Sequence, residues 1–147
     1  MSAPSSDRRK LRVLFLCTGN SCRSQMAEGW ARKLKGDEIE AFSAGTIAKG
    51  LDPRAVRAMA EAGADISGHR SKTVAELLAA GIGFDLVVTV CGAAHESCPI
   101  FPGRTKVVHH GFDDPPKLAE GAADEEETMG HYRRVRDEIR AFVEGLA

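Results

Sequence analysis

The sequence predicts an α/β fold, a three-layer sandwich in which a central, mostly parallel four-stranded sheet is flanked by helices. Along its 147 residues, apolar runs of strand length alternate with segments of helical periodicity, an alternation that is typical of parallel sheets. The clearest element is a C-terminal helix, whose apolar residues recur every three to four positions at Tyr132, Val135, Ile139, Phe142 and Leu146.

The other elements are predicted from apolar runs, periodicity and helix-end signals. Strands are expected at residues 11–16, 39–44, 85–90 and 106–109. Helices are expected from residue 24 to a stop at Gly36, at 53–62 with proline in first position, and at 73–80. The acidic run at 124–127 is interpreted as the solvated start of the last helix, where the helix dipole favours negative charge.

Composition restricts the class of protein. Lys and Arg number 20 against 21 Asp and Glu, so the chain lacks the basic excess of a nucleic-acid-binding protein. The first apolar run is interrupted by Arg12 and is too short for a secretory signal or a membrane span. We expect a single domain over residues 11–147 after a frayed tail at 1–10, in a reducing cytoplasm where cysteines serve chemistry rather than stable disulfides.

An oxyanion site is predicted between the first strand and the first helix, where residues 17–24 read Cys-Thr-Gly-Asn-Ser-Cys-Arg-Ser. A loop that curls into a helix N-terminus turns successive amides inward around a tetrahedral anion. Gly19 and Asn20 are the residue types that most readily adopt the left-handed backbone such a curl needs. The expected binding residues are those of the loop and its arginine: Thr18, Gly19, Asn20, Ser21, Cys22 and Arg23.

A nucleophile and a proton donor are predicted for the same site. Cys17, at the mouth of the positively charged loop, is expected to be a thiolate that the hydroxyl of Ser24 stabilises. Phosphatase-type chemistry also needs an acid for the leaving group. The turn at residues 111–115 offers Asp114 as that general acid, with Asp113 as the second choice.

Two further cysteines point to redox chemistry. Cys91 directly follows the third strand, and Cys98 lies seven positions later, across small and polar residues that we expect to move between reduced and oxidised forms. This spacing is unusual for zinc, and no second ligand pair accompanies it. Together with the loop, the pair suggests a relay in which one cysteine resolves an adduct on Cys17 and another carries the disulfide outward.

The chain resembles the thioredoxin-coupled arsenate reductases, which are built on the low-molecular-weight tyrosine phosphatase fold. The resemblance covers nearly the whole chain. A tyrosine phosphatase of the same fold would not need cysteines at the positions of Cys91 and Cys98. The motifs that carry it are residues 17–30, 43–45 (Ser-Ala-Gly), 87–91 (Val-Val-Thr-Val-Cys), 98–99 (Cys-Pro), 111–115 (Gly-Phe-Asp-Asp-Pro) and 134–139.

The resemblance implies a reaction that detoxifies arsenic. Arsenate binds the loop as phosphate would, Cys17 attacks arsenic, and Asp114 protonates the departing hydroxide. Cys91 then attacks Cys17 and expels arsenite, and Cys98 attacks Cys91 to form the disulfide that thioredoxin reduces. Cys22 has no necessary role in this scheme. The implied enzyme has no bound cofactor or metal and takes electrons from reduced thioredoxin. Phosphate and sulfate compete with arsenate, and we expect a monomer with no membrane partner.

One position departs from the family pattern. Some members bind potassium beside the loop through residues matching Asn20, Glu28, Ser43 and an acidic position, which is Lys72 in this chain. We hypothesise that the Lys72 ammonium replaces the cation, pairs with Glu28 and holds Asn20 in its strained conformation.

Two other functions stay open at the level of the sequence. The chain could be a protein tyrosine or small-molecule phosphatase, with Cys91 and Cys98 serving only to protect Cys17 from oxidation. It could also be a non-catalytic oxyanion sensor, whose loop binds without reacting. Arsenate turnover that requires Cys91 distinguishes the reductase from both, because water and not a thiol hydrolyses a phosphoenzyme.

Overall fold

A computed structural model describes residues 10–92, 98–99, 101 and 103–146 of the chain. Its strands form one sheet in the order β2-β1-β3-β4, and every neighbouring pair is parallel. The strands are β1 (Leu11–Cys17), β2 (Ile39–Gly45), β3 (Leu86–Thr89) and β4 (Lys106–His109). The predicted four-stranded sheet is confirmed, and it is parallel throughout.

Helices flank this sheet, as predicted. They are α1 (Arg23–Lys35), α2 (Pro53–Glu61), α3 (Val74–Ala79), α4 (Pro115–Ala119) and α5 (Glu125–Glu144). α1 packs on β1, β2 and α5, and α5 also contacts α2 and α4. The indole of Trp30 is fully buried in α1 and donates to the Arg136 carbonyl of α5 at 3.1 Å. No helix among the described residues is long and apolar enough to cross a membrane.

The central position of β1 follows from its sequence. Residues 13–17 are all buried, a continuous run that is typical of a strand covered on both faces. In the parallel pairing, Cys17 of β1 lies beside Gly45 of β2, and Leu16 of β1 lies beside Thr89 of β3. The carboxyl ends of these three strands therefore lie at one edge of the sheet, where α/β proteins place their ligands.

The predicted boundaries differ from the observed ones mainly at helix ends. α1 begins at Arg23 instead of Ser24, and α3 begins at Val74, one residue after its N-cap Thr73. The third strand is shorter than predicted, and Leu146 lies beyond α5. α4 was not predicted, because the prolines at its first two positions read as a turn. The predicted tail falls mostly on residues 1–9, which lie outside the described residues.

Candidate active site

The ends of β1 and β3 bring two cysteines to the same edge of the sheet. Cys17 is the last residue of β1. Cys91 follows Val90, whose amide extends the strand pairing by donating to the Leu16 carbonyl at 2.9 Å. The hydroxyl of Thr18 lies 3.3 Å from the Cys91 sulfur, so the loop that begins at Cys17 directly contacts the second cysteine.

The backbone of this loop is held through its carbonyl groups. Each carbonyl from residue 17 to residue 22 accepts a hydrogen bond. The donors, in that order, are the amides of Thr46, Ile47 and Lys49, the side chain of Gln25, and the amides of Asp52 and Met26. In a trans peptide the carbonyl and the following N–H point in opposite directions. The amides of residues 18–23 therefore face away from these partners, toward the concave side where an oxyanion would bind.

The N-terminus of α1 adds to this anion site. Side chains of Asp52, Thr73 and Asp124 cap α2, α3 and α5, but no side chain caps α1, whose N-cap residue is Cys22. The first amides of α1 are thus left to a ligand, and the positive end of the helix dipole favours an anion there.

Asn20 is the residue at which the loop turns. Its φ of 49° is left-handed, whereas Gly19 is not, so the expectation that both would be left-handed is wrong for Gly19. One left-handed residue is sufficient for the curl. The fully buried Asn20 side chain accepts from the Lys72 amide at 2.9 Å and from Gln25 at 3.0 Å, and its Nδ2 donates to Ser24 Oγ at 2.8 Å.

Cys17 receives two hydrogen bonds that suit a thiolate. Its buried sulfur lies 2.8 Å from Ser24 Oγ and 3.3 Å from the Asn20 amide. Because Asn20 Nδ2 already donates to Ser24 Oγ, the serine's own proton is free to point at the sulfur. Ser24 thus lies beside Cys17, within hydrogen-bond distance of its sulfur.

Asp114, and not Asp113, faces the cavity at the mouth of this loop. The cavity has a volume of about 150 Å³ and is lined by residues 17–19, 21–23, Lys49, Asp114 and Pro116. Arg23 lies 3.6 Å from the Asp114 carboxylate and donates to the Phe112 carbonyl at 3.0 Å. Asp113 instead pairs with Arg134 at 3.0 Å, on the exposed surface. The geometry thus favours Asp114 as the acid.

The four cysteines lie in different surroundings. Burial, followed by the nearby carboxylates of Asp52 and Asp114, raises the pKa of Cys22 well above its usual range, which makes Cys22 a poor nucleophile. Cys98 packs against the core, and burial also raises its pKa. The predicted movement of the segment between Cys91 and Cys98 concerns residues 93–97, which lie outside the described residues.

A second polar cluster lies behind the loop. The predicted pairing of Lys72 with Glu28 is present, with 3.7 Å between ammonium and carboxylate. Glu28 also accepts from Ser43 Oγ at 2.5 Å and pairs with Arg32 at 2.8 Å. Since the Lys72 amide holds Asn20, this cluster is connected directly to the turn of the loop.

Sequence reasoning missed three residues that shape the loop. Gln25 donates to Asn20, and Lys49 lines the cavity. Gly45 leaves room for the loop backbone, since a Cβ there would lie 2.6 Å from the Thr18 carbonyl oxygen. Gly45 could have been identified because it ends a strand at the functional edge. Gln25 lies within the motif of residues 17–30, but nothing in that motif shows that it holds Asn20, and nothing local marks Lys49.

Comparison with known proteins agrees with this geometry. The family model described as low molecular weight phosphotyrosine protein phosphatase matches residues 12–147. An arsenate reductase of Halalkalibacterium halodurans is 56% identical over 136 residues, which cover 92% of this chain and 94% of that protein.

Solved structures that are similar to this chain also include arsenate reductases. A structure described as an arsenate reductase in the phosphate binding state superposes with a TM-score of 0.70 at 30% identity, over 91% of this chain and 94% of that one. A thioredoxin-dependent arsenate reductase of Corynebacterium glutamicum has a TM-score of 0.62 at 25% identity, over 90% of this chain and 60% of that one. The chain therefore belongs to the low molecular weight phosphotyrosine protein phosphatase family and is similar to arsenate reductases within this fold.

Proposed function

We propose that the protein reduces arsenate to arsenite with electrons from its own thiols, which thioredoxin regenerates in the cytoplasm. The observation that carries the proposal is the position of Cys17, whose sulfur is hydrogen-bonded to Ser24 within an anion-binding loop and lines a small cavity with Arg23 and Asp114. The similarity to arsenate reductases, one described in a phosphate binding state and one as thioredoxin-dependent, supports the substrate class and the electron donor.

The first step joins the substrate to the protein. Arsenate binds to the inward-facing amides of the loop and to Arg23, as phosphate and sulfate would in competition with it. The Cys17 thiolate attacks arsenic and forms a sulfur–arsenic bond. One hydroxyl group of arsenate leaves as water after Asp114 gives it a proton. Arsenic is still pentavalent in this adduct.

The second step transfers the electrons. Cys91 attacks the sulfur of Cys17, a disulfide forms, and the sulfur–arsenic bond breaks. Its electron pair stays on arsenic, which leaves as trivalent arsenite, so two thiols have been oxidised and arsenic has been reduced. The contact between Thr18 and the Cys91 sulfur supports this role for Cys91. Cys98 then attacks Cys91 and frees Cys17, and the thioredoxin dithiol reduces the Cys91–Cys98 disulfide.

Arsenate-dependent NADPH oxidation with thioredoxin and its reductase tests the relay. Wild type should turn over, whereas Cys91→Ser and Cys98→Ser should not. Without thioredoxin, wild type and Cys98→Ser should each release about one arsenite per chain, because the Cys17–Cys91 disulfide does not need Cys98. Cys91→Ser should release none. Hydrolysis of p-nitrophenyl phosphate by all three proteins is the control for an intact loop.

Membership of a phosphatase family makes hydrolysis of phosphate monoesters the second candidate function. The same loop could pass a phosphoryl group to Cys17 and then to water, without Cys91. A wild-type protein that cleaves p-nitrophenyl phosphate through Cys17 but leaves arsenate unreduced would establish this alternative and refute the relay.

A further inference from the structure

Lys49 lies against the oxyanion loop although it is remote from the loop in sequence. Its amide donates to the Gly19 carbonyl at 2.9 Å. Its aliphatic stem occupies the space that a side chain at Gly19 would need, because a Cβ added there would lie 2.9 Å from Lys49 Cδ and 3.1 Å from Lys49 Cγ. Gly19 is not left-handed, so its lack of a side chain serves this close approach and not an unusual backbone.

The charge of Lys49 is available to a ligand. The residue lines the cavity that holds Cys17 and Arg23, and its side chain is exposed at the rim. Among the described residues, its ammonium has no carboxylate within ion-pair distance. Arg23, by contrast, already contacts Asp114 and the Phe112 carbonyl.

The cavity suits a small inorganic anion better than an ester. Its volume is about 150 Å³, and none of the described residues that line it is aromatic. When an oxyanion is bound, the substituent opposite the attacking Cys17 sulfur must point out of the loop, toward the rim of the cavity. In a free oxyanion that group is an oxygen, which a lysine can contact. In a monoester it carries an organic group, and the described residues that line this cavity offer it no aromatic ring to stack on.

We propose that Lys49 is a substrate-binding residue whose ammonium contacts the outward side of the bound oxyanion and favours inorganic dianions over organic phosphate monoesters. The inference rests on the proposed function, because it concerns the same loop. Lys49 adds a second positive charge to that of Arg23, at the place where a free dianion differs from an ester. Its pre-positioned stem reduces the entropy cost of the contact.

Protection of Cys17 from alkylation measures anion binding without turnover. The full chain is treated with iodoacetamide at increasing inorganic phosphate, and labelling of Cys17 is followed by mass spectrometry. Lys49→Met should raise the half-protecting phosphate concentration about fivefold, and Lys49→Arg should restore it to within about twofold. The difference should shrink between about 20 mM and about 500 mM sodium chloride as the charge is screened.

Lys106→Met is the matched control. It removes the same charge from the first residue of β4, at the opposite end of the sheet, and should leave protection unchanged. With arsenate as substrate, Lys49→Met should raise KM by the same factor while kcat changes less than about twofold, and kcat/KM for p-nitrophenyl phosphate should fall less.

The outcomes separate this inference from the proposed function. Equal half-protecting concentrations in wild type and Lys49→Met, or an equal loss toward arsenate and ester, would overturn the role of Lys49 and leave the reductase proposal intact. Failure of both phosphate and arsenate to protect wild-type Cys17 would overturn the oxyanion site itself, and with it both proposals.

Discussion

Two polar networks in this protein differ in burial and therefore in what they do. The network around the loop is buried: Asn20, Ser24, Gln25 and Ser43 are fully inaccessible and Glu28 is 3% exposed. The network between α2 and α5 is exposed and consists of ion pairs, among them Arg54 with Glu125 at 2.9 Å and Arg133 with Glu61 at 2.8 Å.

Burial changes the consequence of losing one partner. A buried polar group that loses its hydrogen bond cannot turn to water, at a cost of about 1–3 kcal/mol. An exposed ion pair that is broken leaves two groups that water solvates, so its loss costs little. The buried network can therefore hold the loop in one geometry, whereas the exposed network only contributes to the docking of two helices.

The largest expected effect comes from Gly45, where the loop meets β2. In Gly45→Ala, the new Cβ would lie 2.6 Å from the Thr18 carbonyl oxygen, 2.8 Å from the Asn20 amide and against the Ile47 carbonyl. These are backbone atoms that cannot move alone. We expect arsenate turnover to fall more than about 100-fold and the free energy of unfolding in urea to fall by about 2–3 kcal/mol.

The control for that experiment is Gly68→Ala, which adds a Cβ with nothing within 4 Å. It should change stability by less than about 0.5 kcal/mol and leave turnover intact. Normal turnover in Gly45→Ala would show that the loop does not depend on its fit against β2.

An intermediate effect is expected at Lys72, behind the loop. Burial lowers the pKa of the ammonium while Glu28 opposes that shift, so the pair is the interaction that keeps the charge in place. Wild-type turnover should be the same in potassium and sodium chloride at equal ionic strength. Lys72→Met should lower the free energy of unfolding by about 2 kcal/mol and should lower arsenate turnover several-fold. Potassium chloride should partly restore both the stability and the turnover of this variant.

Strong potassium activation of the wild type would refute the idea that Lys72 replaces a cation. Equal rates in both salts for Lys72→Met as well would indicate that the cluster does not accept an ion in its place.

The smallest effect is expected at Glu61 in the exposed network. Hydrogen bonds from Arg133 lower the pKa of Glu61, so its contribution to stability is present above the usual carboxyl pKa and is lost as pH falls through the lowered value. Glu61→Gln should lower Tm by less than about 3 °C at pH 7 and leave turnover unchanged. Its Tm should also fall less than that of wild type between about pH 5 and pH 3.

Glu28→Gln makes the same chemical change within the buried network. It should lower both Tm and turnover clearly more than Glu61→Gln does. Equal effects of the two substitutions would remove the distinction between the networks.

Much of the fold was predictable because each element carries a local signal. The sequence shows β1 as a continuous apolar run and α5 as apolar residues three to four positions apart. α4 escaped prediction because adjacent prolines are as typical of a turn as of a helix start. Helix ends differed from the predicted ones by about a residue, because a capping residue such as Thr73 is difficult to distinguish from the first helical residue in a sequence.

The candidate site was predictable only in part. Cys17, Arg23 and Ser24 are close in sequence, so a strand-to-helix loop places them near one another, although contacts from distant residues hold the loop in its shape. The sequence already preferred Asp114 to Asp113 as the acid, and the structure adds that Arg134 of α5 pairs with Asp113 on the surface.

The sequence by itself determined the order of the elements and the loop between β1 and α1 that begins at Cys17, because periodicity and turn-forming residues are local features of neighbouring residues. Only the tertiary structure decided that Gly45 and Lys49 fit against the loop and that four of its carbonyls accept hydrogen bonds from the segment after β2. Those contacts join residues that are distant along the chain. They exist only once parallel pairing has aligned the ends of β1 and β2 at one edge.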